Sequence, residues 1–213
     1  STMTAGTLLV DHTTTSKALA EELHAACNDL GIAFIDAPVS GGQAGAENGV
    51  LTVMAGGEAS AFEVMEPVIA AYAKHTQRMG DVGSGQVTKM VNQLCIAGIL
   101  GGLSEAFHFA ECAGLDIDEV TRAIQGGAAQ SWQMNNRAET MAQRKYDFGF
   151  AIDWMRKDLG FALDVAQQLG LHLPVATMVD DHYANVQSNG GGRWDTSGLI
   201  EQIRMRTEKT QAA

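Results

Sequence analysis

The chain has 213 residues, with 14 Lys and Arg against 25 Asp and Glu, and its formal net charge of −11 leaves no broad basic field for phosphates. Generic binding to nucleic acid or to an anionic membrane is disfavoured on that ground. With 46% hydrophobic and 18% charged residues and only 3 prolines, the composition is that of a packed globular chain, long enough for one large domain or two small ones.

The opening segment Ser1-Thr2-Met3-Thr4-Ala5-Gly6 has no basic region and no apolar stretch of a signal peptide, so a cytoplasmic setting is expected. Thr7-Leu8-Leu9-Val10-Asp11 reads as a buried strand ending in a polar loop. A helix follows: Ser16 is a plausible N-cap, Leu19, Leu23, Ala26 and Leu30 recur at steps of three and four, and Gly31 stops the pattern. Residues 32–37 are then a second strand, and strand, helix, strand in this spacing argues for a parallel crossover unit. Residues 38–45 read as a glycine-rich loop, 51–57 as a third strand closed by a turn, 62–73 as a helix and 75–79 as a short strand. From Ser84 onward the pattern is helical, with segments near 86–113, 116–125, 131–142, 153–169, 174–188 and 195–206 and a glycine loop at 189–192. The chain therefore divides near 80–85 into an incomplete α/β part, 1–82, and an all-helical part, 83–213. The longest nearly uncharged apolar run, 94–103, falls short of the roughly 20 residues of a membrane span, so none is expected.

Cys27, Cys95 and Cys112 sit singly in helical patterns and read as small buried hydrophobes, with no disulfide or zinc spacing. The six histidines lack H-E-x-x-H spacing and no serine lies in G-x-S-x-G, so metal hydrolysis and serine-esterase chemistry lose support. Trp132, Trp154 and Trp194 suit core or interface packing. Gly98, Gly101 and Gly102 suit close helix crossing, at about 1 kcal/mol each relative to alanine.

Four groupings are left as candidates for chemistry. In Gly80-x-x-Gly83-x-Gly85-Gln86-Val87-Thr88-Lys89-Met90-Val91-Asn92-Gln93, the side chains of Lys89, Asn92 and Gln93 stand at i, i+3 and i+4 and share a helix face. They are either a solvated polar stripe or, in a cleft, a lysine that exchanges protons beside orienting amides. Asp36-Ala37-Pro38-Val39-Ser40-Gly41-Gly42 is either a turn into the next hairpin or a loop whose glycine N–H groups approach a carboxylate at the carboxyl end of a strand. Lys157-Asp158-Leu159 and the threonines Thr13, Thr14 and Thr15 after the first strand are either surface and capping groups or ligand contacts.

Taken together, Val10-Asp11-His12-Thr13-Thr14, Asp36 to Gly42, the Gly80 to Gln93 segment and the stretch from Phe150 through Lys157-Asp158-Leu159 resemble, in order, the β-hydroxyacid dehydrogenase family, which includes 3-hydroxyisobutyrate dehydrogenase and tartronate semialdehyde reductase. The resemblance implies the C-terminal part of a Rossmann-type dinucleotide-binding domain, a long interdomain helix, and a helical bundle through which subunits form homodimers or homotetramers. It implies NAD or NADP as cofactor and a small 3-hydroxy acid or its semialdehyde as substrate. Lys89 matches the catalytic lysine, Asn92 and Gln93 the amides beside it, Ser40, Gly41 and Gly42 the carboxylate-binding loop, and Thr14 and Lys157 the cofactor contacts. Gln93 stands where the family usually has asparagine, one methylene longer. Family members begin with a glycine fingerprint and on the order of 90 residues that complete the sheet, so this sequence is expected to be the later part of such an enzyme. The alternative is an inactive fragment serving as an oligomerisation and substrate-loop module.

Overall fold

The computed structural model describes residues 3–211, and the chain forms two compact units, Ser1–Asn92 and Gln93–Ala213. In the first, β1 (Leu8–Asp11), α1 (Lys17–Asn28) and β2 (Ala33–Asp36) make the expected crossover, with β1 and β2 parallel from Leu8 beside Ala33 to Asp11 beside Asp36. Ser16 caps α1, its Oγ accepting from the Leu19 N–H at 3.1 Å, and Gly31 turns the chain at φ +68°. The face that packs inward is Ala20, Leu23 and Cys27, against Ile32 and Phe34, while Leu19 and Leu30 are exposed. Steps of three and four fit either stripe, so periodicity alone leaves the rotation of the helix open by one residue.

Residues 38–45 are not the plain loop expected. Val39–Ser40 forms β3, antiparallel to β4 (Leu51–Gly56), and Gly42–Glu47 winds into the short helix α2. This Gly, Ala and Gln run carries no apolar stripe that would announce a helix. Next come α3 (Ala59–Ile69) and β5 (Ala73–Gly80), which lies parallel to β4. The described strands form one mixed five-stranded sheet in the order β1-β2-β4-β3, with β5 also on β4. Alternate residues serve opposite faces: Phe34 packs with α1, whereas Ile35, Ala37, Val53 and Ala55 pack with Ala61, Met65 and Ile69 of α3.

The unbroken helix α4 (Ser84–Cys112) begins in the first unit and continues into the second, where α5 (Ile117–Ile124), α6 (Trp132–Ala142), α7 (Ile152–Gln168), α8 (Pro174–Val186) and α9 (Ile200–Gln211) follow. After α8 the helix breaks at the expected glycine loop, where Asn189 (φ −97°, ψ 18°) and Gly190 (φ +90°, ψ 1°) leave helical geometry, and a 3-10 turn, Thr196–Leu199, leads into α9. Among the described residues α4 is long and apolar enough, by length and composition alone, to cross a membrane: the helix runs for 29 residues, and its formally charged side chains are Lys89, Glu105 and Glu111. Its apolar side chains have partners within the unit. Ala97 and Leu100 pack with Ile152, Met155, Leu159, Val179 and Tyr183, and Leu103 and Phe107 with Ile117, Met134 and Met141. The close crossing expected of the α4 glycines is made at Gly101, where a Cβ would stand 3.1 Å from Val179 Cγ2; Gly102 faces open space.

One packing expectation is corrected. Cys27 is buried, but Cys95 and Cys112 are exposed on α4, since they fall off the stripe that carries Leu100, Leu103 and Phe107. Trp194 packs at the core, 5.5 Å from the Tyr146 ring, whereas Trp132 and Trp154 are on the surface with the guanidinium groups of Arg137 and Arg193 over their faces.

Candidate active site

The first unit carries most of the candidate residues, and their placement begins with Asp36. This last residue of β2 is fully buried; its Oδ1 accepts from the Gly83 N–H at 2.7 Å and its Oδ2 from the Gln86 N–H at 2.9 Å. The carboxylate thus satisfies amides at the start of α4 that have no partner inside the helix. Burial pushes its pKa above the usual carboxylate range, against the opposing pull of those backbone hydrogen bonds. The approach is possible only without side chains: a Cβ on Gly85 would lie 2.4 Å from the Met54 carbonyl oxygen and 2.7 Å from Asp36 Oδ2, and one on Gly56 2.5 Å from Asp36 Oδ1.

Gln86, also fully buried, reaches from α4 to the loop after β1. Its Oε1 accepts from the Thr15 N–H at 3.0 Å and its Nε2 donates to the Thr13 carbonyl at 2.8 Å. The Thr13 N–H in turn donates to Asp11 Oδ1 at 2.9 Å. His12 ties the same loop to the neighbouring strand: Nδ1 donates to the Ala37 carbonyl at 2.6 Å and Nε2 pairs with the Tyr72 hydroxyl at 2.8 Å. Half-buried Thr14 therefore sits on a loop whose backbone is held on both sides.

One turn beyond Gln86, Lys89 is only 8% exposed and Asn92 is half-buried. That overturns the solvated stripe as a reading of this face. Ser40 is half-buried at the end of β3, followed by exposed Gly41 at φ +132° and Gly42 at φ +60°. At Gly42 a Cβ would meet nothing within 4 Å, so only the left-handed backbone calls for glycine there.

The second unit holds Gln93, Lys157 and Asp158. Gln93 is 1% exposed and its Nε2 donates to Asp158 Oδ2 at 2.7 Å. Asp158 is buried on α7, with the Lys157 ammonium 3.2 Å from its Oδ1. Lys157 itself is 38% exposed, 5.6 Å from the centre of the Phe161 ring. A pair that in sequence could be a solvated surface contact is thus divided between an inward carboxylate and an outward cation. Taken separately, the Thr14 hydroxyl on its fixed loop in the first unit and the accessible Lys157 ammonium in the second are each the kind of donor that ribose and phosphate oxygens accept from, which suits the chemistry of a dinucleotide.

A family model described as the NAD binding domain of 6-phosphogluconate dehydrogenase matches residues 1–90, and one described as NAD-binding of NADP-dependent 3-hydroxyisobutyrate dehydrogenase matches residues 83–203. An uncharacterised oxidoreductase of Shewanella frigidimarina is 60% identical over 94% of this chain and 69% of its own length. The chain belongs to the β-hydroxyacid dehydrogenase family. The 2-hydroxy-3-oxopropionate reductase of Escherichia coli is 34% identical over 94% of this chain and 68% of its own. A crystal structure of 3-hydroxyisobutyrate dehydrogenase from Salmonella typhimurium superposes with a TM-score of 0.86 at 34% identity, covering 93% of this chain and 70% of that one. As a β-hydroxyacid dehydrogenase the protein is an NAD(P)-dependent oxidoreductase, with a Rossmann-type part followed by a helical part.

Two residues of this arrangement, Asp36 in its capping role and Gln86, were not among the candidates read from the sequence. The available signal was the polar Gln86 beside Val87 and Met90 on an apolar helix, and an acid at the end of an apolar strand.

Proposed function

We propose that the protein transfers a hydride between NAD or NADP and a small 3-hydroxy acid or its semialdehyde, with Lys89 as general acid and base. The observation that carries this reading is a buried lysine one turn beyond a helix start fixed by Asp36 and by the Gln86 bridge to the Thr14 loop. When bound, the nicotinamide supplies the hydride acceptor or donor. In oxidation the neutral Lys89 amine takes the substrate hydroxyl proton as the carbinol C–H leaves with its electron pair; in reduction the Lys89 ammonium gives that proton to the carbonyl oxygen. Asn92 holds the hydroxyl in register with Lys89, and Ser40 with the backbone of Gly41 and Gly42 holds the carboxylate. Gln93, its amide anchored by Asp158, contributes to the fit of the acid, while Thr14 and Lys157 contact the cofactor.

In this reading residues 1–82 act as the dinucleotide-binding part and 83–213 as the substrate and oligomerisation part of a cytoplasmic homodimer or homotetramer. The names of the relatives support the substrate class: one reduces 2-hydroxy-3-oxopropionate and another is a 3-hydroxyisobutyrate dehydrogenase. The test is Lys89→Ala assayed with hydroxy acids of this size. Turnover falls by roughly 10²- to 10⁴-fold, the worth of positioned proton transfer, with cofactor binding retained; near-normal turnover refutes the assignment.

A further inference from the structure

Gln86 touches none of the groups assigned to chemistry, yet it is buried completely and every polar atom of its amide is used. A buried amide so satisfied stiffens what it joins, because losing either partner strands a donor or acceptor away from water. What it joins is specific. Its two bonds bracket Thr14, one to the Thr13 carbonyl and one from the Thr15 N–H, while its own N–H is held by Asp36 and its backbone lies one helical turn before Lys89. We propose that Gln86 is a positioning residue that sets the Thr14 loop and the Lys89 turn of α4 in a single register, so that cofactor contact and proton transfer are aligned together. This deepens the reading of Lys89 and Thr14 above and rests on it.

The amide chemistry supplies a test that a merely space-filling residue would not pass. Alanine removes both bonds. Glutamate in its ionised form keeps an acceptor for the Thr15 N–H but turns an oxygen without a proton toward the Thr13 carbonyl; once protonated, its hydroxyl donates to that carbonyl and both bonds return. The carboxylates bonded to the same loop and helix start, Asp11 and Asp36, are present in every variant, so each measurement is taken as a ratio to wild type at the same pH.

In the full chain without cofactor, Gln86→Ala is expected to speed amide exchange at Thr15 by about ten-fold or more, the loss of a buried hydrogen bond, while amides of α3 stay unchanged. In turnover it raises the cofactor KM and lowers kcat, each by about ten-fold, with substrate KM within two-fold of wild type. Gln86→Glu behaves like the alanine variant at pH 8 and recovers toward wild type near pH 5.5, in Thr15 exchange and in the kcat ratio alike. The proposal is overturned by a folded Gln86→Ala protein with wild-type Thr15 exchange and cofactor KM, or by a Gln86→Glu ratio that does not change with pH. Should Lys89→Ala retain turnover, the assignment of Lys89 fails on its own, whereas Thr15 exchange still reports on the bridge.

Discussion

Arg204 of α9 is a heavily bonded buried cation, and replacing it by methionine gives a prediction whose size and pH dependence both follow from geometry. The side chain is 2% exposed. Its Nε donates to Glu111 Oε2 at 3.0 Å and its Nη1 to Glu201 Oε1 at 2.6 Å, the Met141 carbonyl at 3.2 Å and the Tyr146 hydroxyl at 3.1 Å, while Nη2 completes a second bond to Glu111. Burial disfavours the charge on Arg204, but the bonds it donates to Glu111 and Glu201 outweigh that and hold the guanidinium above its ordinary value. Burial also pushes the Glu111 carboxyl up, yet the bonds from Arg204 and His108 together bring it below the usual range. Methionine fills much of the volume but removes the cation between two carboxylates, leaving Glu111 its bond from His108 and Glu201 its bond from the Tyr146 hydroxyl. Removing one partner of a buried ion pair costs about 3–5 kcal/mol, which for a chain of this length lowers Tm by roughly 6–20 °C. The sign with pH is fixed by Glu111: its folded pKa is depressed, so the stability it contributes is present above pH 4.5 and is lost as pH falls through the folded value. The gap between wild type and Arg204→Met therefore narrows on acidification, as the stranded carboxylates take up protons. Urea unfolding followed by helical circular dichroism at pH 7 and pH 4 measures it. A gap under about 1 kcal/mol at pH 7, or one that stays the same at both pH values, refutes the reasoning.

Asp36 has the opposite sign: burial raises its folded pKa, so the folded protein holds the proton longer, and stability declines as pH rises from 3.8 through that raised value. Asp36→Asn abolishes this part of the slope, and urea midpoints recorded every half unit across the acid range would count against the idea if the two proteins ran parallel. Gly85→Ala places a methyl against the Met54 carbonyl and Asp36, and since backbone cannot yield as a side chain does, it costs about 3 kcal/mol or more; a thermal melt unchanged from wild type excludes the packing described. Gly42→Ala meets no atom but must hold φ +60°, so about 1–2 kcal/mol of backbone strain shifts the loop and raises substrate KM several-fold, leaving kcat nearly unchanged. An equal fall in kcat would mean that this loop does more than bind.

The elements with strong periodicity or a cap were legible from residues alone. Ser16 at the start of α1, the parallel pair of strands around it and the six helices of the second half lie within a few residues of their expected positions. What could not be read is what depends on distant partners. The rotation of α1 is decided by which stripe meets Ile32 and Phe34, and α2 is a helix made of residues with no stripe at all. Cys95 and Cys112 were assigned to the interior because they sit in apolar runs, yet a helix as long as α4 has an outward face everywhere along its length. The same limit applies to Gln93 and Asp158, whose bond joins positions 65 residues apart.

The sharpest instance is the pair of motifs that sequence reading kept separate. By sequence Asp36 is the end of a strand that leads to the Ser40-Gly41-Gly42 loop, and Gly80-x-x-Gly83-x-Gly85 is a glycine cluster before a long helix. In the fold they are two halves of one device. β2 meets β4 at Asp36 and Gly56, and β4 runs parallel to β5 until Gly56 stands beside Gly80, which delivers the start of α4 to the buried carboxylate. A Cβ on Gly56 would run into Asp36 Oδ1, and one on Gly85 into the Met54 carbonyl and Asp36. Gly83 serves differently: its N–H is bonded to Asp36 Oδ1, and its φ of +87° turns the chain into the helix. Once the helix start is held there, Gln86 falls opposite the Thr13 and Thr15 backbone, and Lys89 follows one turn later. Gly56, Gly83 and Gly85 thus all stand against an acid that lies 47 residues before Gly83, and the helix that carries Lys89 is anchored to the end of a strand.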